Sequence, residues 1–518
     1  MCELIEEMEG MIKRKGLCLV MAAAMLGLTA CGTDSGSSGD AGANANAAPE
    51  DVLKDGNKTE LTVVFPGGTS SPASLDEVEA QINEIVGAYM DATVNLKIME
   101  WGVFNDQQNL ILSSGEDVAL VFTANSSRNF ANSNQVLDIT DLCETYAKDA
   151  LEEFGIYADA CKIDGKLYGL PTFHEYTNNA GLVCRTDLLT ELGVKPEDVK
   201  TWDDIENILE KAKEAYPEMN ILCPVETTSG ILAYYNTGVF DELCDTLGVN
   251  VYIDDEKAQV VNYYDTPEFM ELAQKAYDWN QKGYVMEDAT TITNTRSELL
   301  AAGNTFGYVG MIHPGTETQE LKNAGVEVTA LPVNTTALTT NKVNFAQYMV
   351  PSACSTPEKA VKLLDLMLTN KDISNLLSYG LEGKDYVVKD SEKGIVGYPD
   401  GVDSSSVGWN NETWLAGNGS LAYVWESDPE TIWDDYKTFN ESAKLSPLYG
   451  FTFDTSNVKT AITAMTNVVS KYRAVICSGY SDPAEAVASM VSELEAAGMS
   501  EVISEAQAQI DEWLAAKQ

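Results

Sequence analysis

The fold turns on Leu61-Thr62-Val63-Val64-Phe65-Pro66-Gly67-Gly68, followed after a short loop by Ser74-Leu75-Asp76-Glu77. Five β-rich residues stop at a Pro-Gly-Gly break, and the Ser-x-x-Glu spacing reads as a capping box that opens a helix. In that helix Val78, Ile82, Ile85, Val86 and Tyr89 recur at helical spacing. Residues 94–99 read as the next strand, a helix near 106–114 stops at Gly115, and 118–122 make a third strand. Strand, helix, strand, helix, strand predicts a parallel sheet covered on both faces. Ligands of such sheets bind beyond the carboxyl ends of the strands. Those ends are Gly67-Gly68-Thr69, Glu100-Trp101-Gly102 and Thr123-Ala124-Asn125.

Further along, 180–184, 306–311, 326–331 and 345–350 read as strands. Thr201-Trp202-Asp203-Asp204 caps a helix, and Thr356-Pro357-Glu358 opens another with proline at its favoured first position. The final stretch is helical. Asp482-Pro483-Ala484-Glu485 caps a run ended by Gly498, and Ile503, Ala506, Ile510, Trp513 and Leu514 mark the apolar face of a last helix. No repeat of solenoid period is visible.

The chain has 518 residues, too many for one ordinary domain. With 44% hydrophobic and 22% charged residues its composition is globular. Lys+Arg 33 against Asp+Glu 80 leaves a net charge of −47, a field that repels nucleic-acid phosphates and excludes nucleic acid as a partner. Two histidines cannot build a His-ligated zinc or haem site, so no metal and no cofactor is expected. No GxSxG, HExxH or P-loop motif occurs. Carboxylates are so numerous that acid/base pairs of the glycosidase kind discriminate nothing.

Lys13, Arg14 and Lys15 precede a short apolar run at 16–28, below the ~20 residues a membrane-spanning helix needs. The run ends Leu28-Thr29-Ala30-Cys31-Gly32, which resembles the bacterial lipobox. Residues 1–31 are therefore expected to be a lipoprotein signal peptide, with Cys31 as the acylated (palmitate-type) new N-terminus. The acidic opening Cys2-Glu3-Leu4-Ile5-Glu6-Glu7 suits no signal peptide, so translation is expected to begin at Met11. Residues 32–59, rich in Gly, Ala, Ser, Asn and Asp, read as a flexible linker. Cys143, Cys161, Cys184, Cys223, Cys244, Cys354 and Cys477 are odd in number and form no CxxC, which fits small buried hydrophobes better than a disulfide framework.

Several segments follow one another in a recognisable order. They are Leu112-Ser113-Ser114-Gly115-Glu116-Asp117-Val118, Gly165-Lys166-Leu167-Tyr168-Gly169-Leu170-Pro171-Thr172, Arg185-Thr186-Asp187-Leu188-Leu189 and Thr201-Trp202-Asp203-Asp204. In that order the chain resembles the extracellular solute-binding lipoproteins of ABC importers, of the sugar- and oligosaccharide-binding kind. Tyr449-Gly450-Phe451-Thr452-Phe453 through Trp513 resembles a C-terminal domain of undefined function found on a long subgroup of them. Typical members continue with apolar or aromatic residues after the third strand, where this chain has Asn125-Ser126-Ser127-Arg128.

The resemblance implies an α/β, two-lobed, periplasmic-binding-protein-like (type 2) fold with a hinge, a ligand cleft and a helical C-terminal extension. Residues 60–172 with 345–370 would form one lobe, 173–344 with 371–440 the other, and 441–518 the family-specific region. The first crossing would follow Pro171-Thr172 and the return would lie near 344–348. The protein would be a monomer on the outer face of the bacterial membrane, capturing a carbohydrate for ABC permease subunits and performing no chemistry on it. A peptide-binding importer subunit and a secreted carbohydrate-active enzyme stay open as alternatives.

Sugars present apolar ring faces and a rim of hydroxyls, so their sites pair aromatic plates with carboxylates and amides. Trp101, Thr69 and Asn125 stand at strand ends. Glu175 and Tyr176 follow the first crossing, and Gln347 and Tyr348 lie at the return. Tyr234 and Tyr235 form a pair that could pack one in and one out. His313 closes a strand, and Trp409 and Trp414 sit in a polar, Gly-flanked loop where exposed tryptophans are unusual unless they cover something.

Overall fold

A computed structural model describes residues 48–124, 127–334, 337–409 and 412–517. The signal-peptide and lipobox readings and the site candidate Asn125 lie outside them. Nine strands build two central sheets: β1 (Thr59–Gly67), β2 (Ala92–Glu100), β3 (Leu120–Thr123), β4 (Leu170–Pro171), β5 (Asn179–Arg185), β6 (Asn220–Leu222), β7 (Thr305–Ile312), β8 (Val328–Asn334) and β9 (Gln347–Met349).

The first sheet runs β2-β1-β3-β9-β4. Its three leading strands are parallel, as their helical connections require. β9 enters antiparallel to both β3 and β4, because the chain re-enters this lobe from the other one; the sheet is thus mixed rather than wholly parallel. The helix Leu75–Tyr89 buries Val78, Ile82 and Val86 against it. The capping box expected at Ser74 does not form: its hydroxyl donates instead to Asp385 Oδ1 at 2.8 Å, tying the helix start to a later loop. At Thr201 the box is present, with Asp204 closing it.

The second sheet runs β8-β5-β7-β6, with β5 antiparallel to both neighbours. Gly181 and Gly307 let these strands approach closely, since a Cβ at Gly181 would stand 2.0 Å from the Leu331 carbonyl oxygen.

Two apolar cores lie under these sheets. The first gathers Val64, Phe65, Ile82, Phe104, Phe122 and Tyr348 with Leu364 and Ile373. Ile373, Leu376, Leu377, Trp409 and Leu415 belong to it, so much of the stretch read as second lobe packs in the first. The reason is local. The helix Lys371–Tyr379 follows Pro357–Thr369 after a single Asn370, whose side chain caps it, and it must pack beside its predecessor. The second core joins Leu182, Phe269, Trp279 and Phe306 to Met465, Met490, Val502 and Ile510. The helices Lys459–Cys477, Pro483–Ala497 and Met499–Ala516 therefore complete the second lobe's interior rather than append to it.

Part of the stretch read as linker is ordered. Pro49–Leu53 is a short helix that buries Leu53. Just beyond it, the buried Lys359 ammonium donates to Asp55 Oδ1 (2.9 Å), the Asn57 carbonyl (2.9 Å) and the Asp91 carbonyl (3.1 Å). The Lys359 bond holds the Asp55 carboxyl well below the usual carboxylate range.

The seven cysteines beyond residue 48 are buried and unpaired, and burial pushes the thiols of Cys143 and Cys223 up to about 12.

Candidate functional site

The lobes meet where chain segments run side by side. Thr172 N–H donates to the Ala346 carbonyl (3.0 Å) and Phe173 N–H to the Gly417 carbonyl (2.7 Å). Asn440, from the helix Ile432–Ser442, accepts from Tyr176 N–H (2.7 Å) and donates to the His174 carbonyl (2.9 Å). Tyr176 is wholly buried; its hydroxyl donates to the Thr172 carbonyl (2.8 Å) and its ring lies 4.6 Å from those of Tyr157 and His174. His174 Nδ1 stands 3.0 Å from the Thr172 carbonyl and Nε2 3.4 Å from that of Lys342. Burial lowers the pKa of this imidazole, and a neutral ring donates to only one of the two carbonyls it faces.

Above these crossings opens a cleft of about 630 Å³, lined from both lobes. Its first-lobe side is aromatic. Trp414 stacks on Trp101 (5.8 Å between ring centroids, 27° between planes) and lies 6.2 Å and 31° from Phe345. Phe122 braces Trp414 edge-on at 5.9 Å. Trp101 is 42% exposed and Phe345 48%, so the row presents open ring faces. Trp101 is there because β2 passes directly into the helix Trp101–Ser114, leaving the first helical residue at the strand's carboxyl end.

The second-lobe side is polar. Arg296 opens the helix Arg296–Ala301 behind a Thr295–Glu298 capping box. Its Nη2 lies 2.5 Å from Glu320 Oε1, and its guanidinium sits 4.6 Å from the centroid of the Tyr308 ring. The Tyr308 hydroxyl donates to the same Glu320 oxygen (3.1 Å). Burial holds the Tyr308 phenol well above its ordinary range. Arg296 Nε and Glu320 Oε2 have no protein partner among the described residues, and Asn236, Thr237, Glu242 and Asn341 line the same wall. Glu175 and His313 face each other at 3.9 Å between Oε1 and Nε2, where the cleft joins a side pocket of about 230 Å³ under Trp409, Trp425 and Trp433.

Of the residues singled out from sequence, Glu175, Tyr234, His313 and Trp414 line the cleft together, and Trp101 stacks at its rim. Thr69 is exposed on the loop after β1, accepts from Ser71 N–H (3.3 Å) and lines neither cavity. Tyr235 is a packing residue: it lies against Trp202 (4.7 Å), and its hydroxyl donates to Glu271 (2.9 Å). Tyr176 touches the cavity only from the buried hinge. Gln347 and Tyr348 are buried in the crossing strand; the Tyr348 hydroxyl donates to the Leu415 carbonyl (2.8 Å) and Gln347 Nε2 to that of Asn344 (2.9 Å). Trp409 is 3% exposed, its indole N–H given to the Leu377 carbonyl (3.0 Å), so it forms a pocket wall and not an open plate. Sequence reading missed Phe345, Arg296, Tyr308 and Glu320. Phe345 alone carried a signal, as a large apolar residue at the return crossing. Among the described residues no cluster of His, Cys, Asp or Glu could hold a metal ion, and no helix is long and apolar enough to cross a membrane.

Two α/β lobes hinged on shared crossings, with a cleft walled from both, define a protein that captures a ligand by closing around it. The chain belongs to the bacterial extracellular solute-binding protein family, whose model matches residues 72–373. A domain of unknown function, DUF3502, matches residues 447–515. A carbohydrate ABC transporter substrate-binding protein of Streptococcus pneumoniae serotype 4 is 25% identical over 494 residues, 94% of this chain and 95% of that protein. The crystal structure of an N-glycan transport solute binding protein (NgtS) from Streptococcus pneumoniae superposes with a TM-score of 0.78 at 24% identity, covering 89% of this chain and 100% of that one. Its complex with Man5GlcNAc gives 0.67 at 24% identity, covering 89% and 99%. The fold is thus that of two-lobed binding proteins, and the chain is a solute-binding protein rather than an enzyme.

Proposed function

We propose that this protein captures a neutral oligosaccharide in the inter-lobe cleft and presents it, lobes closed, to the membrane permease of an ABC importer. The observation that carries this reading is a cleft lined by Trp414 and Phe345, extended at its rim by the stacked Trp101, together with a wall of hydrogen-bonding groups. The rings take apolar sugar faces. Arg296, Glu320, Asn236, Glu242, Glu175 and His313 supply donors and acceptors for the hydroxyl rim. The carbohydrate named for the pneumococcal relative supports the same ligand class. Capture by a monomer anchored through Cys31 on the outer face of the cell membrane completes the reading.

A thermal-shift screen of the full chain against oligosaccharides, simple sugars and peptides tests it. Oligosaccharides are expected to raise the melting temperature; a rise with peptides alone would hand the cleft to peptide import. For the anchor, Cys31→Ala should move the protein from the membrane fraction to the medium. A mutant that still sediments with membranes would refute it.

A further inference from the structure

The second-lobe wall is not the end of the cleft. Behind it lies an inner chamber of about 240 Å³ that shares Tyr234, Asn236, Thr237, Phe240, Glu242 and Asp245 with the cleft, so the two are continuous. Arg473, half-buried on the helix Lys459–Cys477, closes the chamber from the region matched by the domain of unknown function. Among the described residues Arg473 makes no hydrogen bond and no ion pair. Asn250, only 3% exposed on the chamber wall, also leaves its Oδ1 without a partner. A buried amide oxygen without a donor is costly, and the Arg473 guanidinium, held in the field of Glu242 but given no protein acceptor, lines the same cavity.

The chemistry of the lining selects what would satisfy them. Glu226, Glu242 and Asp245 outnumber the single cation, so an anionic group is repelled. Carboxylates and the Asn250 oxygen need donors, while Arg473 needs an acceptor, and a hydroxyl offers both. Tyr263 and Phe269 add an apolar surface.

We infer that the chamber is a second subsite, holding one neutral hydroxylated unit at the end of an oligosaccharide whose body lies in the cleft. The C-terminal region is thereby part of the ligand site and sets the preferred ligand length. This inference rests on the carbohydrate reading of the cleft.

The test is calorimetric titration of the full chain, of Arg473→Met and of Ala233→Leu, which fills the chamber from a wall residue outside the cleft lining. The probes are manno-, malto- and arabino-oligosaccharides of two to six units. Wild-type affinity is expected to climb with length and then level off. Each variant should lose about tenfold of that climb, the order expected for losing charged hydrogen bonds, while binding of two-unit probes stays within about twofold. If wild type binds and both variants match it at every length, or lose equally at every length, the subsite is refuted and the cleft reading stands. If wild type binds none of the probes, the cleft reading falls and the subsite with it. Melting of the unliganded variants separates misfolding from lost contact, and Ala233→Leu carries the test should Arg473→Met melt early.

Discussion

The two walls of the cleft are built from different material and on different foundations. On the first-lobe side Phe345, and Trp101 at the rim, are each nearly half exposed to solvent. On the second-lobe side Glu320 is 2% exposed and is gripped by Arg296 and Tyr308 before any ligand arrives. One wall is an added surface; the other is continuous with the lobe's interior. The aromatic wall can therefore be altered with little harm to folding, whereas the polar wall offers groups whose arrangement folding has already fixed, so that a ligand meeting them would have little left to order.

The largest effect should come from breaking the polar wall. Arg296→Met strands the Glu320 carboxylate in a buried site and should cost about 3–5 kcal/mol of stability, as for a buried pair that loses one partner. Denaturant unfolding at neutral pH reads this directly. A loss below about 1 kcal/mol would show that the pair is solvated and that the two walls do not differ as described.

Asp241 extends the contrast behind the same wall. Burial pushes its carboxyl up to about 6, against the opposing pull of its bond from Ser446 and the charge of Lys342. A pKa raised in the folded state means that folding binds an extra proton between about 4 and 6. This group's contribution should therefore fall as pH rises through that window, by about 3 kcal/mol at 1.36 kcal/mol per pKa unit, and stay flat above it. The difference in unfolding free energy between wild type and Asp241→Asn, followed from pH 4 to 8, should trace that step. A pH-independent difference would refute it.

The smallest effects on folding belong to the aromatic wall. Trp414→Ala should weaken oligosaccharide binding by about 1–3 kcal/mol, roughly 5- to 150-fold. Trp101→Ala should weaken it by about 1 kcal/mol, since that ring forms the outer end of the row. Trp101→Ala should leave the unliganded melting temperature within a degree or two of wild type. A strongly lowered melting temperature with unchanged affinity would make Trp101 a packing residue and erase the contrast between the walls.

Much of the first lobe was readable because its signals are local. Alternating strand and helix runs between 61 and 122, broken by glycines, placed Trp101 at a strand end without tertiary information. Trp414 was readable from its polar loop. Trp409, five residues earlier, reads the same way yet is buried, because the loop folds back on the helix Lys371–Tyr379 and gives its indole to the Leu377 carbonyl. At the crossings the sequence offered Tyr176, Gln347 and Tyr348, but packed chain segments consume their side chains where sugar contacts were expected. The Arg296–Tyr308–Glu320 cluster could not be read at all. Its members come from a helix, a strand and a second helix, and only the fold of β7 between Arg296–Ala301 and Thr316–Ala324 brings them together. The C-terminal helices showed clear apolar faces, but nothing in their own periodicity says whose core they fill.

The grip of Lys359 on residues 55–59 and Asp91 also has a mechanical meaning. Residues 55–59 are thereby tied to the helix Pro357–Thr369, which packs in the first core. A pull from the N-terminal side would thus load the first lobe before the second.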